Sequence, residues 1–468
     1  MRSLILTTLG VACAVAVTGC VLAPRESARE QQKLDAAGAP YVAPREQRRL
    51  PDLPADPTWE DVLRRALLAN GELEAAWQEW AMAVTKITQA GSYPTQPVEL
   101  GFEYMFSAER MKSFDRLTVD AGFMDATQWP GKAYQSAKVA WRDAQAAGEK
   151  FRAAKFELQS KVLTAWANYA LQAERVRIQE ENVRLLQLVS DTAASRVRAG
   201  GAQQEQLRAD VQLRLAQNEL GTMRATLRQQ QARLNAMLVR EPDAPLPPPA
   251  SMPAPRPFPT DDAALLAAGV KNNPELAALD ATLTGRSDAI ERAKMEYIPD
   301  FNLRGGFTGS VEQFVGAALV LPTELPKIRA MVDESRADLR RVIAMRDQAR
   351  SDKAGEFVAT LAALRDFERR RALFDDDVLP LAQRSYDLAR QGYASGTVMY
   401  LDLIEAQRTL LETRLMAAEA RAMREQMLAE LEMLAGVDVE TLLNASTTQP
   451  TTTQPAATRR EDPREHQH

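Results

Sequence analysis

The stretch QGYASGTVMYLDLIEAQ, residues 391–407, decides how the chain is read. A long charged helical pattern runs into it, breaks at Gly392 and Gly396, and resumes toward Leu434. Glycine lets a backbone reverse where a Cβ would clash. Thr397 is placed to cap the returning helix. Asp402 and Glu405 then stand three apart in its first turns, which puts both carboxylates on one face at the end of a hairpin. An earlier stretch, RAGGAQQEQLRADVQ at residues 198–212, has the same plan. Gly200 and Gly201 form its turn, and Glu205 stands where Asp402 does. Two helical hairpins with glycine turns and acidic tips organise the chain.

Long helices lead into both turns. From Lys132 to about Ala199, spacings of three and four link Leu158, Val162, Ala165, Tyr169, Val176, Val183, Leu186, Ala193 and Val197. That is a coiled-coil seam, and at 1.5 Å per residue it reaches on the order of 100 Å. Before it, residues 58–90 read as a helix capped by Thr58 or Asp56. The period then changes to two: Val98, Leu100, Phe102, Tyr104 and Phe106 alternate with polar residues, as do Leu117, Val119, Ala121 and Phe123 beyond a charged loop, Ser107–Arg116. The pair predicts a β-hairpin with one apolar face. It suits either a membrane barrel, with Tyr104, Phe106 and Trp129 as an aromatic girdle, or a hairpin packed on a soluble core.

After a proline-dense linker the order repeats. A helix is predicted over 261–297, and alternation at Phe301, Leu303, Gly305 and Phe307 leads to a short turn at Gly309-Ser310. A second strand follows, from Phe314 to Leu321, and Pro322 and Pro326 introduce a second long helix, to Arg390. Asn70-Gly71-Glu72-Leu73 and Asn273-Pro274-Glu275-Leu276 lie 203 residues apart, while Glu205 and Asp402 lie 197 apart. A near-constant offset over this length means internal duplication.

Composition narrows the function. Among 468 residues, 58 basic and 63 acidic side chains leave a net charge of −5, which advertises no surface for nucleic acid. Aromatics are 6%, and Ala, Arg, Gln, Glu and Leu dominate, as in long helices. Both histidines, His466 and His468, sit in a Thr-, Gln- and Pro-rich tail predicted to be disordered. Histidine acid–base catalysis and His-ligated zinc therefore lack their raw material. No glycine-rich phosphate loop follows a strand, so no enzyme is expected and no cofactor. Met416, Met423, Met427 and Met433 at helical spacing read as core filler rather than soft-metal ligands. Arg369–Arg371 against Asp375–Asp377 reads as a solvated, salt-bridged helix face.

Arg2 and the apolar run Leu4–Val17 form a targeting segment that ends Val17-Thr18-Gly19-Cys20. That ending resembles a bacterial lipobox, with cleavage before Cys20 and acyl chains on its thiol and amine. Leu22 is not the aspartate that retains such lipoproteins at the inner membrane, so the resemblance implies outer-membrane sorting.

Over roughly residues 58–437 the chain resembles the TolC-type outer-membrane efflux channels in their lipoprotein form. The resemblance rests on the duplicated order, the Asn-Pro-Glu-Leu element and the turn Tyr-x-x-Gly-Thr-x-x-x-x-Asp-x-x-Glu-Ala-Gln, from Tyr393 to Gln407. It implies a mainly α fold with a small β part: duplicated coiled-coil hairpins, plus two β-hairpins giving four strands per subunit to a trimeric 12-stranded barrel. The expected divisions are a signal peptide, 1–19; a lipidated extended tether, 20–57; a first repeat, 58–241, with its hairpin near 98–129 and tip near 199–205; a linker, 242–260; a second repeat, 261–437, with its hairpin near 298–322 and tip near 391–405; and a tail, 444–468. The implied partners are two further copies, a periplasmic adaptor, an inner-membrane pump or ABC transporter, and outer-membrane lipid. By matching position, Asp402 and Glu405 would form acidic rings in the channel entrance. Tyr393 would help hold the tip closed, with Glu205 as its hydrogen-bond partner. The family's closing arginine falls at Val398, and Arg208 is the substitute this sequence offers. The implied function is a passive exit duct for efflux or type I secretion. The competing reading is a lipid-anchored periplasmic coiled-coil adaptor or scaffold without a membrane barrel.

Overall fold

A computed structural model describes residues 20–44, 47–106, 110–200, 202–259, 261–438 and 441. The targeting segment, Gly201 and the tail beyond residue 444 lie outside the described residues. The chain opens with β1 (Cys20–Val21) and α1 (Ser27–Gly38). The first repeat follows as α2 (Trp59–Ala69), α3 (Gly71–Gly91), β2 (Ser92–Tyr93), β3 (Val98–Tyr104), β4 (Leu117–Phe123), α4 (Pro130–Arg198) and α5 (Gln203–Met237). The second has α6 (Asp262–Asn272), α7 (Pro274–Lys294), β5 (Asp300–Thr308), β6 (Glu312–Val320), α8 (Leu325–Ala372), α9 (Leu379–Ser395) and α10 (Tyr400–Ala435). Each repeat begins with helices of 11 and 21 residues, so the duplication holds at the level of element length.

Four local expectations are corrected. The single helices expected over 58–90 and 261–297 each divide, at Asn70 and Asn273. Asn70 Oδ1 accepts from the Glu72 and Leu73 amides, and Asn273 Oδ1 from the Leu276 amide, at 2.9–3.0 Å. An asparagine that caps a new helix competes with continuation of the old one. Of the two caps expected for the first of these helices, Thr58 is the one used, in a reciprocal box with Asp61. The tether is not extended: α1 buries Leu34 against the body, and Trp77 Nε1 donates to the Leu34 carbonyl at 3.2 Å. The second long helix is interrupted by a π-helical turn at Leu373–Val378. Pro380 has no N–H for the Asp376 carbonyl, and a widened turn absorbs the mismatch. The Arg/Asp run meets this turn and is not simply a solvated face. Arg369 and Arg370 pair with Asp366, while Asp375 takes two bonds from Arg421 of α10, at 3.1 and 2.8 Å.

The molecule is layered along its length. The four long strands form one antiparallel sheet in the order β3-β4-β5-β6, so the two hairpins join through β4 and β5. Beneath it the helices pack in the order α3-α4-α7-α8, and further on in the order α5-α4-α10-α9. Lys132, almost fully buried at the start of α4, ties sheet to helices through Asp300 at 2.7 Å and Glu296 at 3.5 Å. The linker is docked rather than free: Leu246 is buried, its carbonyl accepting from Tyr169 Oη, and burial pushes that phenol up to about 12.

Candidate functional site

At the tip of the first hairpin Gly200 adopts φ +99°, and at the second Gly396 adopts φ +81° as the left-handed C-cap of α9. Gly392 does not break the helix. It lies inside α9, and the close approach of Val398 is what requires glycine there, since a Cβ would fall 2.3 Å from Val398 Cγ2. Its carbonyl accepts from the Thr397 and Val398 amides, at 2.8 and 3.1 Å, and from Thr397 Oγ1. Thr397 therefore closes the outgoing helix. The N-cap of the returning one is Met399, without a side-chain bond.

Asp402 and Glu405 are both exposed on α10, whose buried seam is Tyr400, Leu403, Gln407 and Leu410. Among the described residues neither carboxylate takes part in an ion pair. Tyr393 is 4% exposed, and its ring lies 6.3 Å from that of Tyr400. Both tyrosine hydroxyls are buried without a hydrogen-bond partner among the described residues, so Glu205 does not bond Tyr393 within the subunit. Glu205 is near enough to act through its field. Burial raises the Tyr393 phenol first of all, Arg196 opposes that, and the charge of Glu205 adds to it. Arg208 is exposed and acts on Tyr400 in the same indirect way, after the larger effects of burial, Tyr393 and Glu205. The arginine that touches Tyr393 is Arg196, in the last turn of α4, which the reading of the sequence missed. Its signal was weak: a basic residue in a last helical turn, with nothing to show that it reaches another hairpin.

At the other end of the molecule the register separates the sheet into two faces. Phe102, Val119 and Phe307 are cross-strand partners, as are Leu100, Ala121, Gly305 and Val315. With Leu303, Ala317 and Leu319 they make one apolar face, on which Val315 is 92% exposed. Glu99, Glu103, Asp120, Asn302, Arg304 and Glu312 occupy the other. Aromatics gather at both ends of the strands. Trp129, Phe123 and Phe301 stack edge-to-face at the helix end; Tyr104 and Phe106, and Phe114 and Phe307, pair at the loop end. The nine residues of β5 cover on the order of 30 Å of strand, somewhat over 20 Å after a barrel tilt, close to an outer-membrane apolar band. No described helix is long and apolar enough to cross a membrane.

Cys20 is exposed and held at the helix end of this sheet. It pairs with Tyr93 across β1 and β2, and the Leu22 amide donates to the Gly91 carbonyl at 2.7 Å.

Residues 265–437 match the outer membrane efflux protein family. The cobalt-zinc-cadmium resistance protein CzcC of Cupriavidus metallidurans is 23% identical over 378 residues, which is 76% of this chain and 85% of CzcC. The outer membrane protein VceC of Vibrio cholerae superposes with a TM-score of 0.67 at 16% identity, over 81% of this chain and 96% of that one. The open state of the Neisseria gonorrhoeae MtrE outer membrane channel gives 0.67 at 17%, over 82% and 90%. Residues 265–437 are an outer membrane efflux protein domain, and the chain around them has the fold of a TolC-type outer-membrane channel.

Proposed function

We propose that this chain is one subunit of a homotrimeric exit duct. It spans the bacterial outer membrane, is anchored by lipid on Cys20, and takes substrate from an inner-membrane pump through a periplasmic adaptor. The observation that carries this reading is that, among the described residues, each layer ends in two open edges of opposite origin. The sheet ends in β3 of the first repeat and β6 of the second; the helical layers end in α3 and α8, then in α5 and α9. An apolar sheet with unpaired edges is intolerable in lipid. A second-repeat edge of one copy against a first-repeat edge of the next closes every layer with one rotation, which is a head-to-tail ring. The helical edges carry apolar stripes suited to such contact. Leu207, Val211 and Leu215 lie on α5 away from its buried Ala209, Leu213 and Ala216, and Leu381 and Leu388 lie exposed on α9. Four strands from each of three copies make the 12-stranded barrel.

The β1–β2 ladder supports the anchor, because it holds Cys20 beside the strand ends that meet the inner leaflet. Acyl chains at about 0.8 kcal/mol per buried methylene make such an anchor durable. The duct performs no chemistry and needs no cofactor; the pump supplies the energy. The direct test is a planar-bilayer recording of the purified, lipidated protein, with discrete conductance steps expected. A protein that never conducts at any voltage, and stays monomeric in detergent, would favour the scaffold reading instead.

Three copies of Asp402 and Glu405 around a narrow neck concentrate negative potential and favour cations. Asp402→Ala with Glu405→Ala is expected to shift the reversal potential in a tenfold salt gradient toward zero and to weaken block by Zn²⁺ several-fold. An unchanged reversal potential would remove these carboxylates from the conduction path.

A further inference from the structure

On the polar face of the sheet, charged side chains alternate with glycine from strand to strand. Glu99, Gly122, Arg304 and Gly316 stand side by side in one row, and Gly101, Asp120 and Gly306 in the next. The glycines leave room for Arg304 and Asp120 to lie flat, and the two lean apart. Arg304 lies toward β6: a Cβ on Gly316 would stand 3.6 Å from its Cγ and 3.7 Å from its Nε. Asp120 lies toward β3, where a Cβ on Gly101 would strike its carboxylate. Arg304 is the one basic residue of the four strands, and among the described residues it has no ion pair. The acids are placed unequally. Glu99 and Glu103 stand exposed on β3 with Asp120 leaning toward them, Asp300 is held by Lys132, and Glu312 sits at the loop end of β6. One open edge of the sheet is therefore reached by its cation, and the other is lined by carboxylates.

We propose that Arg304 of each copy pairs with Glu103 of the next, and that this pair sets the register in which β6 meets β3. The inference rests on the head-to-tail ring proposed above and supplies the residues that key its seam. Adjacent strands lie about 4.8 Å apart, so the next copy's β3 stands about 10 Å from β5, across Gly316. An arginine lying flat over β6 spans much of that gap, and a glutamate on the far strand closes the rest. Tilt chooses which glutamate. Barrel strands incline by about 35–45°, so a row drawn square across one copy meets the next roughly four to six residues out of step. The right-handed coil of barrel strands carries that offset toward the loop end. The row through Glu99 and Arg304 therefore arrives near Glu103 of the next copy and not at its Glu99. Alternation alone leaves this register open, because a slip of two residues keeps every apolar side chain on the lipid face. A cross-strand charge pair separates those steps, since it forms in only one of them.

The test uses the full lipidated protein, purified from outer-membrane fractions. Arg304→Glu is expected to lower the recovered heat-modifiable trimer about fivefold, and Glu103→Arg to do the same. Arg304→Gln, which removes the attraction without adding repulsion, should lower it about twofold. Arg304→Glu with Glu103→Arg should restore the trimer to within twofold of wild type, a rescue that a folding failure cannot give. Arg304→Glu with Glu99→Arg should not restore it. Register is read separately by cross-linking. Ala317→Cys with Phe102→Cys, both exposed positions of the apolar face, leaves the charged pair in place and should join copies through a short bismaleimide. Ala317→Cys with Val98→Cys should not join them. Adding Arg304→Glu should cut the first cross-link more than threefold. A trimer and a cross-link unchanged by Arg304→Glu would overturn the pair while leaving the ring standing. Rescue by Glu99→Arg in place of Glu103→Arg would give the seam a different register and overturn the assignment too. A wild-type protein that stays monomeric would remove the ring, and the seam with it.

Discussion

Val315→Arg is expected to stop the protein from reaching the outer membrane as a trimer, whereas Ala318→Arg, three residues on and also exposed, is tolerated. The register is what separates them. Val315 pairs with Gly305 on the apolar face near the middle of β6, and Ala318 pairs with Asn302 on the polar face. An arginine on the lipid face at the bilayer midplane costs about 2–4 kcal/mol, and the proposed trimeric barrel would hold three copies, so the assembled trimer would lose roughly 6–12 kcal/mol. On the lumen side the guanidinium meets water. The heat-modifiable trimer recovered from outer-membrane fractions should fall by more than tenfold for Val315→Arg and by less than twofold for Ala318→Arg. A soluble hairpin gives the opposite expectation: Val315 at 92% exposure touches little, and a surface substitution there changes stability by about 0.5 kcal/mol at most. Equal tolerance of both arginines would take this face out of the lipid.

Much of this was legible because two different periods occur, and each occurs twice. Alternation at Val98–Tyr104 and at Phe301–Phe307 cannot be confused with the three-and-four spacing of α4, and repetition at a near-constant offset excludes coincidence. The pairing of β4 with β5 was not legible. Val119 and Phe307 are separated by a whole helical hairpin, and nothing local marks them as partners. Gly392 misled because one sequence does not distinguish a glycine that ends a helix from one that admits a neighbour. Here the neighbour is Val398. The asparagine breaks were in view as parallel elements, but their parallel was read as ancestry and not as two helix starts. The helix in the tether was hidden by composition, since few of its residues, Leu34 among them, reach the core. Pro380 did signal the π-helical turn, inside a pattern otherwise helical enough to override it. Arg196 lay beyond reach, because its partner is 197 residues away and the bond is to a backbone carbonyl.

The linker between the repeats holds the second large effect. Arg256, in a segment too rich in proline for helix or strand, is threaded into the core between repeats. Its Nη1 meets Glu432 at 3.0 Å, its Nε meets Glu425 at 3.1 Å, and its guanidinium lies over the Trp59 ring at 5.1 Å. Arg424 then donates to the Arg256 carbonyl at 2.7 Å and faces Glu368 of α8. Burial alone would lower the Arg256 pKa, but Glu432 and Glu425 outweigh it and raise the value, so the guanidinium stays charged at any working pH. Glu432 is 1% exposed, and taking a cation away from a carboxylate so deep costs about 3–5 kcal/mol. Arg256→Met keeps much of the side chain's apolar bulk and removes the charge together with the Nη1 and Nε donors to Glu432 and Glu425. It should undock the linker and speed protease cleavage within residues 242–259 by more than tenfold. Replacing both partners, as Arg256→Met with Glu432→Leu, should restore much of the protection, because apolar groups of similar volume often substitute for a buried pair without loss. The size of that rescue separates charge from packing: a double variant cleaved as fast as the single one would mean that the linker is held by the shape of Arg256 against Trp59, and that the buried ions contribute little to joining the repeats.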